Sequence, residues 1–312
     1  MSKSLKKIIV AHHYGFCMGV KRAIKIAEQA GQKEIGPVSV INEIVHNDSV
    51  VRNLKEQGVG TVLSVSDAPG GTVIISAHGA PPAYFREAAR RGLKVIDATC
   101  PLVIKIHRII NKLVEDNYRI IHFGDRHHDE TKGVVGQARP GRVVVVSSPA
   151  ELDRLTDKGG KYALTSQTTA DAAEFERIAT IADEKFANIE IYNTVCNATE
   201  QRQAAVLSVA PQVDLMLVVG SSSSANSKRL RNISETACGK AYLIDNSEDL
   251  TAEMLKDIEV VGLSAGASTP DYLVEDVISR LKEFSSGTAE LVRKRRDDSA
   301  QCRLAHDEKP NK

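Results

Sequence analysis

Asp97-Ala98-Thr99-Cys100-Pro101 stands where an apolar run, Leu93-Lys94-Val95-Ile96, gives way to Leu102, Val103, Ile106, Ile109 and Ile110. Those later residues are spaced like one face of a helix, so the stretch reads as a strand passing into a helix. Pro101 suits a first helical turn, which places the cysteine at the junction itself. The same arrangement recurs around Cys17, in Gly15-Phe16-Cys17-Met18-Gly19, and around Cys196, in Asn193-Thr194-Val195-Cys196-Asn197. Three such junctions predict three copies of one unit, each delivering a cysteine to a shared centre.

Working outward, Cys17 and Cys100 are 83 residues apart, and Cys100 and Cys196 are 96 apart. Polar loops recur at matching offsets. His46 lies 29 after Cys17, His128 lies 28 after Cys100, and Ser224 lies 28 after Cys196. A second set, His78, Thr168 and Ser268, follows at 61, 68 and 72. Between them, short β-branched runs alternate with amphipathic helical patterns, the signature of parallel α/β layers.

Strands are expected at 7–11, 38–41, 61–65 and 72–77 in the first third of the chain. The second third has 94–98, 119–123, 142–147 and 162–165, and the last has 190–193, 214–219, 241–244 and 259–264. Helices are expected at 20–30, 82–91, 104–115, 172–185, 228–237 and 273–284. Ligands of open parallel sheets bind outside the carboxyl ends of the strands, so three such sheets aim three sets of loops at one axis.

The expected fold class is α/β, with three similar lobes, each a small mostly parallel sheet flanked by helices, in pseudo-three-fold arrangement around the centre. Lobe 1 is assigned to 12–99, lobe 2 to 100–195 and lobe 3 to 196–285, with the N-terminal strand 6–11 added to lobe 3. Residues 286–312, with the run Arg293-Lys294-Arg295-Arg296-Asp297-Asp298, read as a polar, poorly ordered tail.

Composition narrows the function classes. The 312 residues are 42% apolar and 26% charged, as in an ordinary globular protein. A formal charge of +1 argues against a nucleic-acid or anionic-membrane surface, and the lack of Trp argues against base stacking. No apolar run approaches the roughly 20 residues of a membrane span. Met1-Ser2-Lys3-Ser4-Leu5-Lys6-Lys7 leads straight towards the first strand with no signal-peptide pattern, so a cytoplasmic protein is expected. Its 5 cysteines, odd in number and widely spaced, do not form a disulfide framework. The absence of a strong apolar seam favours a monomer.

The chemistry follows from the junctions. A helix N-terminus favours the thiolate, the form that binds metal. Three equivalent thiolates without a fourth favour an iron–sulfur cluster over structural zinc, which takes four closed ligands. A four-iron cluster on three cysteines leaves one iron open to bind and polarise a substrate oxygen. A Cys₃His zinc site also remains open on the chemistry. Cys238 and Cys302 fall outside the pattern and read as non-ligands.

His46, His78 and His128 join the loops Ser166-Gln167-Thr168-Thr169, Gly220-Ser221-Ser222-Ser223-Ser224-Ala225-Asn226-Ser227 and Ala265-Gly266-Ala267-Ser268-Thr269-Pro270. Imidazoles, hydroxyls, amides and helix-start N–H groups suit a phosphate or diphosphate. Neither a Walker-type loop nor a Gly-x-Gly-x-x-Gly fingerprint occurs, so nucleoside triphosphate, nicotinamide and flavin are not indicated.

These motifs resemble one family. Gly-Phe-Cys-Met-Gly-Val around Cys17, Val-His-Asn at 45–47, Ser-Ala-His-Gly at 76–79 and Asp-Ala-Thr-Cys-Pro-Leu-Val at 97–103 carry the likeness. Gln-Thr-Thr at 167–169 and Ala-Gly-Ala-Ser-Thr-Pro at 265–270 complete it. The chain resembles the 4-hydroxy-3-methylbut-2-enyl diphosphate reductases from about residue 8 to 284.

The resemblance implies one [4Fe-4S] cluster held by Cys17, Cys100 and Cys196 with one open iron. It implies reductive removal of an allylic hydroxyl to give isopentenyl and dimethylallyl diphosphate, the last step of the non-mevalonate isoprenoid pathway. Carried over, His46, His78, His128, Ser224, Ala225, Asn226 and Ser268 hold the diphosphate. Glu130 supplies protons and Thr168 orients the substrate hydroxyl and that carboxylate. A flavodoxin- or ferredoxin-type donor supplies electrons.

Two departures stand out. His128-Asp129-Glu130 replaces the common His-Pro-Glu, and Ala225 stands where many members carry a second Ser. The competing readings are a quinolinate-synthase-like dehydratase, also three-lobed, and a non-enzymatic zinc-stapled protein.

Overall fold

The computed structural model describes residues 4–295. The chain opens with strand β1 (Lys7–Val10) and helix α1 (Met18–Lys33). A first sheet follows, built from β2 (Val38–Ile41), β3 (Val59–Val62), β4 (Thr72–Ile75) and β5 (Lys94–Asp97), in the order β3-β2-β4-β5. Its helices are α1, α2 (Asp48–Glu56) and α3 (Pro82–Arg90). A second unit begins with α4 (Pro101–Glu115) and has β6 (Arg119–Phe123), β7 (Val143–Val146), β8 (Tyr162–Ser166) and β9 (Ile189–Ile191) in the order β7-β6-β8-β9. Helices α5 (Asp129–Val135), α6 (Pro149–Asp153) and α7 (Ala172–Lys185) accompany it.

The third unit begins with α8 (Asn197–Val209) and adds β10 (Leu215–Val219), α9 (Ala225–Cys238), β11 (Ala241–Ile244), β12 (Val260–Ala265) and α10 (Asp271–Phe284). Its sheet runs β11-β10-β12-β1-β13, where β13 is Glu290–Arg293. All pairings are parallel. Setting β13 aside, the three sheets share one strand order, with β1 as the fourth strand of the third. That shared order is the pseudo-three-fold repeat, expressed as topology rather than as sequence identity.

Central strands are mostly apolar, and β10 is so at every position, because helices cover both faces. Leu215, Met216, Leu217, Val218 and Val219 are all fully buried, and so are Val73 and Ile74. Among the described residues, no helix is long and apolar enough to cross a membrane.

Two expectations need correction, at 61–65 and from 286. The strands at 94–98 and 190–193, inside the bounds given for lobes 1 and 2, lie in the first and second sheets. β5 pairs with β4, and β9 pairs with β8, so each closes the sheet before it. The strand expected at 61–65 is β3, shifted to Val59–Val62, and Val65–Asp67 forms a turn of 3₁₀ helix. The Ser64 hydroxyl donates to Asp67 at 2.7 Å and ends the strand there. The stretch from 286 is not all irregular tail, because β13 pairs along the whole of β1. Arg293 also reaches the Glu275 carboxylate at 2.7 Å and the Tyr14 hydroxyl at 3.0 Å. Residues 296–312 lie outside the described residues.

Candidate active site

Each cysteine occupies a helix N-cap: Cys17 of α1, Cys100 of α4 and Cys196 of α8. One backbone hydrogen bond fixes all three alike. Cys17 N–H donates to Ala267 O at 3.1 Å, Cys100 N–H to Ala77 O at 3.0 Å, and Cys196 N–H to Thr168 O at 2.9 Å. The acceptors lie beside Ser268, beside His78 and at Thr168, so the second repeated set of loops clamps the cysteines. Each cysteine also follows the fourth strand of one sheet and caps the first helix of the next unit. The thiols therefore lie where the units meet.

The N-cap position gives each sulfur a local field. Val20 N–H points at Cys17 Sγ at 3.5 Å. Burial pushes the Cys100 and Cys196 thiols up, the first N–H groups of their helices pull them down, and the neighbouring thiols push up again. Without a cation the proton stays on these sulfurs, and a metal centre has to displace it. The spacing is close. A Cβ on Gly19 would lie 2.6 Å from Cys100 Sγ and 3.9 Å from Cys17 Sγ.

Gly19→Ala is therefore expected to separate the two functions of that position. Alanine favours the helix by about 1 kcal/mol, so the metal-free protein should unfold no earlier than wild type. The displaced Cys100 should lose bound iron, which colorimetric iron and sulfide analysis measures directly.

Above the thiols lies a cavity of about 100 Å³, lined by the three cysteines, the three histidines, Glu130, Thr168 and the loops at 224–226 and 267–268. The His46 and His78 rings stack at 4.3 Å between centroids, and His128 meets them edge-on at 5.4 and 5.3 Å. His46 Nδ1–H donates to Glu43 at 2.9 Å. His128 caps α5, and its Nδ1 accepts Glu130 N–H at 3.2 Å, which leaves the proton on Nε2 facing the cavity. Burial, then the neighbouring imidazoles, hold His78 well below the usual histidine range. Burial and His46 bring His128 to about 4. An anion in the cavity would reverse that cost.

Glu130 is 2% exposed, and burial raises its pKa to about 7 against two hydrogen bonds that lower it. Both bonds come from Thr168, through N–H to Oε1 at 2.7 Å and Oγ1 to Oε2 at 2.6 Å. The third wall is the start of α9. Ser224 caps it, accepting Ser227 N–H at 3.3 Å and keeping its own hydroxyl hydrogen free. Ala225 offers a first-turn N–H. Asn226 is 4% exposed and neither end of its amide has a partner. A buried amide left unpaired costs about 1–3 kcal/mol, so this side chain is set for a ligand. Ser268 spends its hydrogen on His46 O at 3.0 Å, which ties the third unit to the first.

The structure thus brings Cys17, Cys100, Cys196, His46, His78, His128, Glu130, Thr168, Ser224, Ala225, Asn226 and Ser268 to one cavity. His127, beside His128, is exposed instead. Cys238 ends α9 with Sγ on Val213 O at 3.2 Å, and Cys302 lies outside the described residues. Sequence reasoning missed Gly19 and Arg202. Arg202 is 6% exposed on α8, with Nη1 on Ala198 O at 2.6 Å, Nη2 on Gly15 O at 2.5 Å, and Nε unpartnered. A charged residue six positions after a cysteine, in phase with buried Thr199 and Val206, was the available signal.

Residues 8–282 match the LytB protein family. The chain belongs to the LytB family. Among LytB relatives, the 4-hydroxy-3-methylbut-2-enyl diphosphate reductase of Aquifex aeolicus is 37% identical over 282 residues, covering 90% of this chain and 97% of that protein. The reductase of the same name from Aromatoleum aromaticum is 40% identical over 292 residues, covering 92% and 93%.

Of the solved LytB structures, the E-1-hydroxy-2-methyl-but-2-enyl-4-diphosphate reductase from Plasmodium falciparum superposes with a TM-score of 0.87 at 32% identity, over 94% of this chain and 92% of that one. A second, described as the terminal enzyme of the non-mevalonate pathway, gives 0.63 at 37% identity, over 89% of this chain and 100% of that one. These matches favour the reductase over the dehydratase and zinc-stapled readings.

Proposed function

We propose that this LytB protein reduces 4-hydroxy-3-methylbut-2-enyl diphosphate to isopentenyl and dimethylallyl diphosphate, using a [4Fe-4S] cluster on Cys17, Cys100 and Cys196. The family is an iron–sulfur enzyme family. The observation that carries the reading is one cavity with three helix-capping thiols at its floor and an anion cradle with a protonatable carboxyl in its wall.

The donor set fits a cluster. Among the described residues three soft sulfurs converge without a fourth, and the buried Arg202 Nε beside them lacks a partner. When bound, the cluster supplies electrons one at a time and an electron-poor iron with an open position.

The residues around it do the rest. His46, His78 and His128, the Ser224 hydroxyl, the α9 N-terminus and the Asn226 amide take the diphosphate. Three imidazoles within 4.8 Å of one another can also hold a metal ion. The free amide and the helix start beside them favour an anion.

Fixing the diphosphate positions the allylic carbon chain. Glu130 holds a proton at its carboxyl, where Thr168 keeps it aimed into the cavity. Protonation at Oε2 turns that oxygen into a donor to Thr168 Oγ1, whose own hydrogen then points towards the substrate hydroxyl. The balance is two electrons and two protons in, the C–O bond broken, one proton leaving with the oxygen as water and one added to carbon. The electrons come from a flavodoxin- or ferredoxin-type carrier, and the enzyme works as a cytoplasmic monomer.

The deciding experiment is anaerobic purification with iron and sulfide analysis, followed by turnover of the allylic diphosphate with reduced methyl viologen. Four irons and both products support the reading. A colourless protein holding one zinc refutes it. Asn226→Leu tests the cradle. It should raise KM about tenfold or more, since it removes one or two hydrogen bonds to a charged group at about 1.5–3 kcal/mol each. It should leave the iron content unchanged.

A further inference from the structure

Arg202 has no role in the chemistry just described, yet it is the buried cation nearest the thiols. A guanidinium out of water needs an anion or a full set of acceptors. Arg202 has neither. Its Nη1 and Nη2 bond two neutral carbonyls, Ala198 O and Gly15 O, and its Nε meets nothing. Among the described residues no carboxylate forms an ion pair with it. The groups whose negative charge favours its guanidinium are Cys17 and Cys196, against the burial that disfavours it.

Its two acceptors place it. Ala198 is two residues past Cys196, and Gly15 is two before Cys17. Gly15 has φ +72, and a Cβ there would lie 2.3 Å from Asp271 Oδ1, so the loop before Cys17 is tightly set. The guanidinium therefore spans the approach to two of the three thiols, from two different units.

We infer that Arg202 is a positioning residue for the metal centre: it is the fixed counter-charge of the thiolate-held group, and it makes that group easier to reduce. The inference rests on the cluster reading above. Each electron added to an anionic centre raises its negative charge. A cation held close by, out of water, stabilises the reduced form more than the oxidised one. The same cation, buried against two neutral carbonyls with its Nε unpartnered, is a liability in the metal-free protein.

The test compares Arg202→Lys, Arg202→Gln and Arg202→Met in the full chain, loaded with iron and sulfide. An EPR-monitored redox titration should show Arg202→Gln and Arg202→Met shifted towards the oxidised form at least tenfold at a fixed poise, about 59 mV for a one-electron couple. Arg202→Lys, which keeps the charge, should stay within threefold of wild type. Metal-free Arg202→Met should melt no lower than metal-free wild type. Loss of cluster from the two neutral variants, with retention in Arg202→Lys, also supports the charge role.

Equal potentials in all four proteins overturn the inference. So does an equal shift or loss of cluster in all three variants, or a lowered melting point of metal-free Arg202→Met, since each marks a packing role instead. A wild type that binds no iron overturns the cluster reading itself. A wild type with four irons and flat potentials across the series overturns only this inference.

Discussion

Replacing Glu130 by Gln is expected to lower turnover roughly 10²–10⁴-fold, the range lost with a positioned general acid, while iron content and substrate affinity stay near wild type. The amide keeps an acceptor for Thr168 N–H, now 2.7 Å from Oε1, so the shape of the pocket is retained. What is removed is the proton. Burial places the Glu130 pKa at about 7, so near neutrality the group is charged in part of the molecules and protonated in the rest. Wild-type turnover should fall as pH rises through about 7, and single-turnover rates across pH measure this.

The same shift carries a stability consequence with a definite sign. The folded pKa lies above the usual 4.5, so the folded state binds the proton more tightly than the unfolded one. The stability from that proton is fully present below pH 4.5 and is lost as pH rises through about 7. A difference of roughly 2.5 units corresponds to about 3 kcal/mol. Glu130→Gln should therefore match wild type in acid and unfold at higher denaturant above pH 8. A variant less stable than wild type at both extremes would contradict the assignment of a buried, uncompensated carboxylate.

The second large effect is expected at the thiols. Cys100→Ala should abolish turnover and strip most of the iron, since two sulfurs cannot hold what three hold. The fold should survive, because the anchor at this position is the backbone bond from Cys100 N–H to Ala77 O, which alanine keeps. Cys238→Ala is the matched control. Its sulfur touches Val213 O outside the cavity, so iron and turnover should stay within twofold of wild type. Parallel iron analysis and circular dichroism separate loss of metal from loss of fold.

How these residues could be read from sequence depends on how local their signals are. The cysteine junctions were legible because a change from strand to helix is written in neighbouring residues. Offsets from them to His46, His128 and Ser224 held because each lies at the start of the helix after the first strand of its unit: α2, α5 and α9. The exact strand pairing is less legible. Nothing within 94–97 says that its partner is β4 rather than β6, since pairing joins residues far apart in the chain.

The start of helix α8 is legible at Cys196, but its buried face is not, because Arg202 and Gln203 occupy buried positions that an amphipathic pattern reserves for apolar residues. β13 was hidden by its charged flanks, Glu290 and Arg293, which an edge strand tolerates. The bond from Ser268 to His46 O was beyond reach for the same reason as the sheets: the two residues are 222 positions apart.

The place of β1, held between β12 and β13, has a consequence for biogenesis. Residues 7–10 leave the ribosome roughly 250 residues before their hydrogen-bonding neighbours at 260–263 and 290–293. Until then the Cys17 loop lacks Ala267 as its anchor, and the nascent chain carries two formed cysteine seams and one open one. Long-range pairing of this kind is slow and comes late. On the proposed cluster reading, iron loading follows the pairing of β12 and β13 with β1, and any delay in that pairing leaves unprotected thiols rather than a partly filled metal centre.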